Sequence, residues 1–429
     1  MLAHVRKELK FEKVYVSSKQ TLQKNIIFLY FEFLSKLRLI FDGKTDLLFV
    51  TSSDNHHLPL SALEATLEKK GVSYAYITNK IRIYRSLRKR KQRVYFIDSD
   101  SYNCLQNNFY LGNATDEEIY STIENSIMAN GKYFENLEKQ WDFALNRLKP
   151  KVLISGNELL LTHRVGMFEM QRRKLKTLVF QHGQINSRNV IYAEMICDKF
   201  LLYGELSKRE VIKIGISESK ISVVGKLQFA DTEVASGCTN GFTDSEKKNV
   251  LIAFSGFGNG TSFSHHRAQI DAIHSVARLF EDVNFIFKLH PKDDVKYYSN
   301  LKSDNIRVIS DSLFKKLNGN LKVLIANCCA LITSISAIVY DAFELSVPVC
   351  ILDLNNEYKN MEMTSSNAVT YCEGDEALKK ALKEIFLTGQ NYATIANGKE
   401  YLSNFYCEKR PEVVQDMFLK EVLNLARGN

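Results

Sequence analysis

The chain has 429 residues, which at roughly 100–200 residues per domain points to two or three domains rather than one small core. Hydrophobic residues make up 45% and charged residues 25%, so the chain can bury real cores, and disordered or collagen-like classes are excluded. Lys and Arg outnumber Asp and Glu by 57 to 49, a net charge of +8, and the excess is unevenly spread. The eight cysteines lie far apart except for Cys328 and Cys329, and no C-x-x-C occurs. That pattern indicates neither a zinc site nor a disulfide framework, and reduced cytoplasmic thiols are expected.

In chain order, Met1 to Gln20 mixes Arg6, Lys7, Glu8, Lys10, Glu12 and Lys13 with few apolar residues, so no secretory signal is expected. No stretch reaches the 18 apolar residues of a spanning helix; Ile26 to Phe41 comes nearest but is interrupted by Glu32, Lys36 and Arg38. It reads as an amphipathic helix, buried on one side in preference to lying on a membrane surface. Leu47–Val50 reads as a strand, Leu60–Lys70 as a helix and Tyr74–Ile77 as a second strand, the start of a βαβ series. Lys80 to Arg93 then carries eight basic and no acidic residues. It suits an anionic partner (bilayer phosphate, acidic glycan or nucleic acid) as well as it suits a solvated helix face, and Lys89, Arg90 and Lys91 are the candidate acceptor or membrane contacts.

The alternation continues through Val94–Ile97, a helical pattern around Glu118–Leu148, Val152–Ile154, Met167–Lys174, Thr177–Phe180, Lys199–Tyr203 and Ile221–Val224. A polar stretch, Asp231 to Asn249, follows. A second series begins at Val250–Phe254 and runs through the loop Ser255–Ser264, a helix Arg267–Phe280, and strand-type runs at Asn284–Leu289, Ile306–Ser310, Val323–Ala326 and Ala330–Thr333. A helix Ala337–Leu345 and a strand Val347–Leu352 complete it. The expected fold is α/β: two Rossmann-like domains with parallel sheets facing an interdomain cleft. The expected domains are 1–230 on the acceptor side and 247–429 on the nucleotide side, with C-terminal helices able to cross back between them.

Ligands of open α/β sheets sit beyond the carboxyl ends of strands, so the residues there are the candidates. Phe180-Gln181-His182-Gly183 ends one strand, and His182 can act as a general base or simply shape the turn. Glu158, after Val152–Ile154, is an alternative base or a partner that orients His182. In the second half, Lys288, His290 and Pro291 end a strand and could neutralise a departing phosphate. Ser334 and Ser336 open a helix, either as phosphate contacts or as plain N-caps. Gly256 and Gly258 lie in a loop with three glycines, Gly256, Gly258 and Gly260, that has neither the dinucleotide fingerprint nor the P-loop ending, so ATP and NAD are not indicated. Asp98-Ser99-Asp100 is a weak D-x-D, and the adjacent pairs His56-His57 and His265-His266 project apart and read as loop residues; no metal and no cofactor are expected.

The stretch QHG at 181–183, with Asp198, Tyr203-Gly204-Glu205, Gly215 and ISVVG at 221–225, resembles bacterial capsule and surface-polysaccharide glycosyltransferases of the GT-B fold. KLHP at 288–291 followed by SISAIVYDAFELSVPVCILD at 334–353 is similar to their second halves. The resemblance covers roughly residues 150–355 and extends to the CMP-sugar-dependent sialyl-, polysialyl- and Kdo transferases and to the CDP-glycerol glycerophosphotransferases. It implies that His290, Ser334 and Ser336 contact the nucleotide phosphate, that His182 matches the glycerophosphotransferase histidine-glycine, and that Glu158 sits near the polysialyltransferase base. Gln181 stands where the glycerophosphotransferases have Trp, and the acidic polysialyltransferase motif is not evident. The implied activity is metal-independent transfer of a sugar, most naturally from a CMP-sugar, to a capsule or lipopolysaccharide acceptor. Its implied setting is the cytoplasm, with peripheral contact at the inner face of the cytoplasmic membrane left open and no nucleic-acid partner expected. Three alternatives remain: glycerophosphotransfer from CDP-glycerol, a nucleotide-sugar epimerase, and a non-catalytic basic protein binding glycan or nucleic acid. Retention through a carboxylate nucleophile, Asp231 or Glu158, is the variant to inversion.

Overall fold

The computed structural model describes residues 18–97, 131, 134–183, 185, 190–227, 241–244, 246–256, 263–291, 293–301, 303–334, 336–356, 358–359, 361–388, 392–408 and 410–428. The chain divides into two compact units, Met1–Phe229 with Cys407–Asn429, and Ala230–Tyr406. Cys407–Asn429 thus groups with the first unit.

In the first unit, β1 (Leu47–Thr51), β2 (Tyr74–Thr78), β3 (Val94–Phe96), β4 (Val152–Ser155), β5 (Lys176–Phe180), β6 (Lys199–Leu202) and β7 (Ile221–Val223) form one sheet in the order β3-β2-β1-β4-β5-β6-β7. All pairings are parallel, with Phe49 opposite Tyr76 on one side and Ile154 on the other. The strands are short apolar runs because both faces are covered. Along β1, Leu48 and Val50 enter the core that holds Trp141, Met167 and Met170. Leu47 and Phe49 enter the opposite core, with Leu60, Leu63 and Phe418. That is the alternation a pleated strand imposes.

In the second unit, β8 (Lys248–Ile252), β9 (Val283–Lys288), β10 (Ile306–Ile309), β11 (Ala330–Thr333), β12 (Val349–Leu352) and β13 (Thr370–Cys372) pair in parallel in the order β10-β9-β8-β11-β12-β13. Each sheet thus runs outward from its first strand and then reverses, between β1 and β4 and between β8 and β11. This is the doubly wound order, and the reversal opens a crevice at the strands' carboxyl ends.

Local readings differ in several places. Val323–Ala326, read as a strand, lies in a helix, Leu321–Ala326, because Asn320 caps it: its Oδ1 accepts from the backbone N–H of Lys322 at 3.0 Å and of Val323 at 3.3 Å. A six-residue apolar turn carries no period that separates helix from strand. His56 and His57 sit in a helix, Asp54–Ser61, and His265 and His266 in another, Phe263–Ala277; all four are buried rather than in loops. The helical pattern ending at Leu148 is found over 134–148. Asp98-Ser99-Asp100, Asp231 and Gly258 lie outside the described residues.

Candidate functional site

At the β1/β4 reversal of the first unit, three imidazoles gather. His56 follows β1, His163 stands in the helix Leu161–Arg172 after β4, and His182 follows β5. The His56 ring lies edge-on to both others, with centroids 4.8 Å from His182 and 5.7 Å from His163. Gly156 makes this possible: a Cβ there would stand 2.9 Å from His56 Cδ2 and 3.0 Å from Phe180 Cζ. His163 is 0% exposed and held at both nitrogens, Nε2 to Ser52 Oγ and Nδ1 to Ser155 Oγ, each at 2.6 Å. Ser155 Oγ also donates to Asn157 O at 3.0 Å, which leaves it to accept from His163 Nδ1–H. The free lone pair of that tautomer is then on Nε2 and faces the Ser52 hydroxyl.

Burial keeps these imidazoles neutral. It lowers His56 to about 3, aided by His182, and it lowers His163 well below the ordinary value, aided by His56 and His182. His182 is lowered by burial too, against a hydrogen bond to the Gly156 backbone that favours its charged form. His182 is the half-buried member of the three and lines a small pocket with Asn157, Gln181, Ile185 and Tyr192. Gln181 fixes the turn beneath it: Nε2 donates to Gly183 O at 2.8 Å and Oε1 accepts from Tyr203 N at 2.9 Å.

Glu158 lines the same pocket but its carboxylate is committed elsewhere. Its oxygens accept from Ile196 N at 2.5 Å and Cys197 N at 3.1 Å, and the residue is 1% exposed. It ties the loop before β6 to the end of β4.

In the second unit, Ser255 and Gly256 follow β8, His290 follows β9, and Ser334 follows β11. Thr333 Oγ1 donates to Ala253 O at 2.5 Å, and Ser255 Oγ lies 3.4 Å from Ser334 Oγ, so two strand ends are laced at the reversal. Gly256 has φ +84°, and a Cβ on it would stand 2.7 Å from His290 Nδ1; only glycine lets the ring lie on that backbone. His290 N donates to Asp293 Oδ2 at 3.2 Å, and Tyr298 OH donates to the same oxygen at 3.1 Å. Tyr298 OH also lies 3.0 Å from His266 Nε2. Burial lowers His266 to about 4 against the pull of Asp293, so this imidazole too is neutral.

Lys288 is drawn away from these groups. Its Nζ donates to Asp311 Oδ1 at 2.8 Å and Leu289 O at 3.0 Å and lies over the Phe314 ring. Pro291 opens the turn closed by Asp293 N donating to His290 O at 2.9 Å. Ser336 is half-buried, and the following helix, Ile338–Glu344, has Ala337 as its N-cap with no side-chain cap bond, so neither serine plays the capping role. All three of the basic trio are exposed, and Arg90 in addition pairs with Glu64 and reaches His57 Nε2 at 3.4 Å.

The sequence singles out His182 and His290 at these strand ends, reads His56 and His266 only as loop residues, and does not point to His163, Ser52, Asp293 or Tyr298. The rule that picks residues just after strands reaches Ser52; His163 and His266 lie inside helical patterns and carry no such signal.

No protein-family model and no curated protein sequence matches the chain. Solved structures do match its fold. A Listeria monocytogenes protein described as a UDP-N-acetylglucosamine 2-epimerase superposes with a TM-score of 0.59 at 11% identity, over 90% of this chain and 98% of that one. The UDP-GlcNAc 2-epimerase from Neisseria meningitidis, solved bound to UDP-GlcNAc, gives 0.54 at 13%, over 88% and 100%. A glycosyltransferase from Rickettsia africae gives 0.53 at 13%, over 90% and 100%. The chain thus has the architecture of GT-B-like proteins, two parallel-sheet α/β domains of seven and six strands.

Proposed function

We propose that this protein is a sugar-nucleotide enzyme, and more narrowly a metal-independent glycosyltransferase. In this reading the first unit activates an acceptor hydroxyl and the second holds the nucleotide. The observation that carries it is His182: a half-buried imidazole, kept neutral by burial, at a strand end beside a pocket. A neutral imidazole at pH 7 can take a proton from an attacking hydroxyl, a contribution typically worth about 10²–10⁴-fold. As the acceptor oxygen bonds to the anomeric carbon, the bond from that carbon to phosphate breaks, the hydroxyl proton passes to His182, and the phosphate leaves with the electron pair. His290, with Ser334, Ser336 and the loop at Gly256, would meet that phosphate.

The finer reading is a CMP-sugar donor and a bacterial capsule or lipopolysaccharide acceptor, and it rests on the resemblance of residues 150–355. The fold likeness to UDP-GlcNAc 2-epimerases favours a second reading, epimerisation of a UDP-sugar at the same strand ends. A melting-temperature screen against CMP, CDP, UDP, GDP and ADP, with and without magnesium, tests both, since a ligand of the native state alone raises the melting temperature. Stabilisation by a cytidine nucleotide supports the finer reading; stabilisation by UDP, with donor conversion in the absence of acceptor, supports the epimerase; silence across the panel counts against any sugar-nucleotide enzyme. With the donor in hand, His290→Ala should weaken nucleotide binding at least about tenfold, and His182→Ala should slow turnover about 10²–10⁴-fold while leaving that binding intact.

A further inference from the structure

The helix Ser18–Phe41 covers the edge strand β3 with one face only. Phe28 stacks on Phe96 with centroids 5.5 Å apart, Ser35 Oγ accepts from Phe96 N at 2.7 Å, and Phe31 and Leu39 are buried beside them. That contact fixes the outward face. Leu29, Tyr30, Phe33, Leu37, Ile40 and Phe41 lie on it, from 44% exposed at Leu37 to 81% at Phe41. Spacings of three and four residues join them into one stripe along the helix. Singly exposed apolar residues need no account, but six large ones in one stripe mark a surface that something covers.

The charge around the stripe says what. The basic helix Ile81–Lys89 lies alongside: Arg38 hydrogen-bonds the Tyr84 hydroxyl, and the Arg85 guanidinium sits 5.4 Å from the Phe31 ring centroid. Arg85, Arg88 and Lys89 of that helix are exposed, and no acidic residue occurs from Lys80 to Arg93. The one carboxylate between Ile27 and Phe41, Glu32, is buried and paired with Lys36 at 2.6 Å. We infer that this face is a docking surface for an anionic lipid bilayer, with the stripe entering the headgroup boundary and the flanking arginines and lysines meeting lipid phosphates. An apolar stripe rimmed by one sign of charge fits that environment. A second copy would bring basic rim against basic rim. Among the described residues no helix is long and apolar enough to cross a membrane, so the contact is one of lying on the surface. The inference stands apart from the sugar-nucleotide reading and is tested without any donor.

The experiment is flotation of the full-length protein with phosphatidylcholine vesicles and with vesicles that also contain phosphatidylglycerol, together with light scattering. Binding should require phosphatidylglycerol and weaken as salt rises. Phe33→Glu with Leu37→Glu should abolish it. Arg88→Glu with Lys89→Glu should weaken it at least about tenfold, since each basic residue near an anionic surface contributes several-fold. Unchanged melting temperatures identify folded variants, as expected for substitutions at exposed positions. Equal binding to phosphatidylcholine alone, no binding, or binding indifferent to Phe33→Glu with Leu37→Glu would each overturn the inference. So would a wild-type oligomer that this pair of substitutions dissolves, which would assign the face to a second copy.

Discussion

A carboxylate at the end of a strand invites a catalytic reading, and Glu158 shows what decides the matter. Both of its oxygens accept backbone N–H groups, from Ile196 and Cys197, so its charge is spent on the loop before β6. Glu158→Ala should leave two buried donors unsatisfied and lower stability by about 1–3 kcal/mol, read from the shift in denaturant midpoint. Glu158→Gln should also destabilise, because its amide NH₂ meets one of those N–H groups donor to donor. A variant that kept wild-type stability and lost only turnover would restore the base assignment. Sequence alone names the residue but not its partners, which come from 38 and 39 positions away. His163 illustrates the converse. Its two serines at 2.6 Å come from β4's last residue and from the residue after β1, and nothing near it in the chain announces either.

At the scale of elements, what was legible followed from burial on both faces. The apolar-rich runs Leu47–Val50 and Asn284–Leu289, punctuated by turns, overlap β1 and β9 in the structure. The helical spans were read less well where a polar side chain sets the limit, as with Asn320 before Leu321–Ala326, and the helix Asp54–Ser61 starts ahead of its internal Pro59 with no side-chain cap to announce it. Packing between elements left no trace in local pattern at all. Gly166 sits inside the helix Leu161–Arg172, where intrinsic propensity favours alanine by up to about 1 kcal/mol. Yet a Cβ there would stand 2.5 Å from the Trp141 ring, which is fully buried and donates Nε1–H to Thr162 O at 3.0 Å. The clash involves the rigid body of an indole, so packing outweighs propensity. Gly166→Ala should destabilise the first unit by about 1–3 kcal/mol, checked by denaturant unfolding followed through the fluorescence of Trp141, the chain's single tryptophan.

Over the whole molecule, the alternation of strands and helices implies two doubly wound sheets, and both are present. The first unit is also discontinuous, the crossing back of C-terminal helices that the sequence allows. The helix Pro411–Arg427 returns to the first sheet and places Val414, Phe418, Leu419 and Val422 in the core with Phe180 and Val224. Phe418 meets Phe180 edge-on at 6.0 Å, and a Cβ on Gly225, with φ +92°, would stand 2.8 Å from Val414 Cγ2. A backbone with no side chain at 225 is therefore part of the helix's seat. The first unit cannot complete its core until residues 411–427 have been made, although its sheet is finished by Val223. Phe418→Ala should cost about 3–5 kcal/mol, the usual loss for a fully buried phenylalanine. That loss should fall on one unit only: by calorimetry the transition of the first unit moves to lower temperature, while a second transition belonging to residues 230–406 stays where it was. A single transition that shifts as a whole would show instead that the two units unfold as one cooperative body.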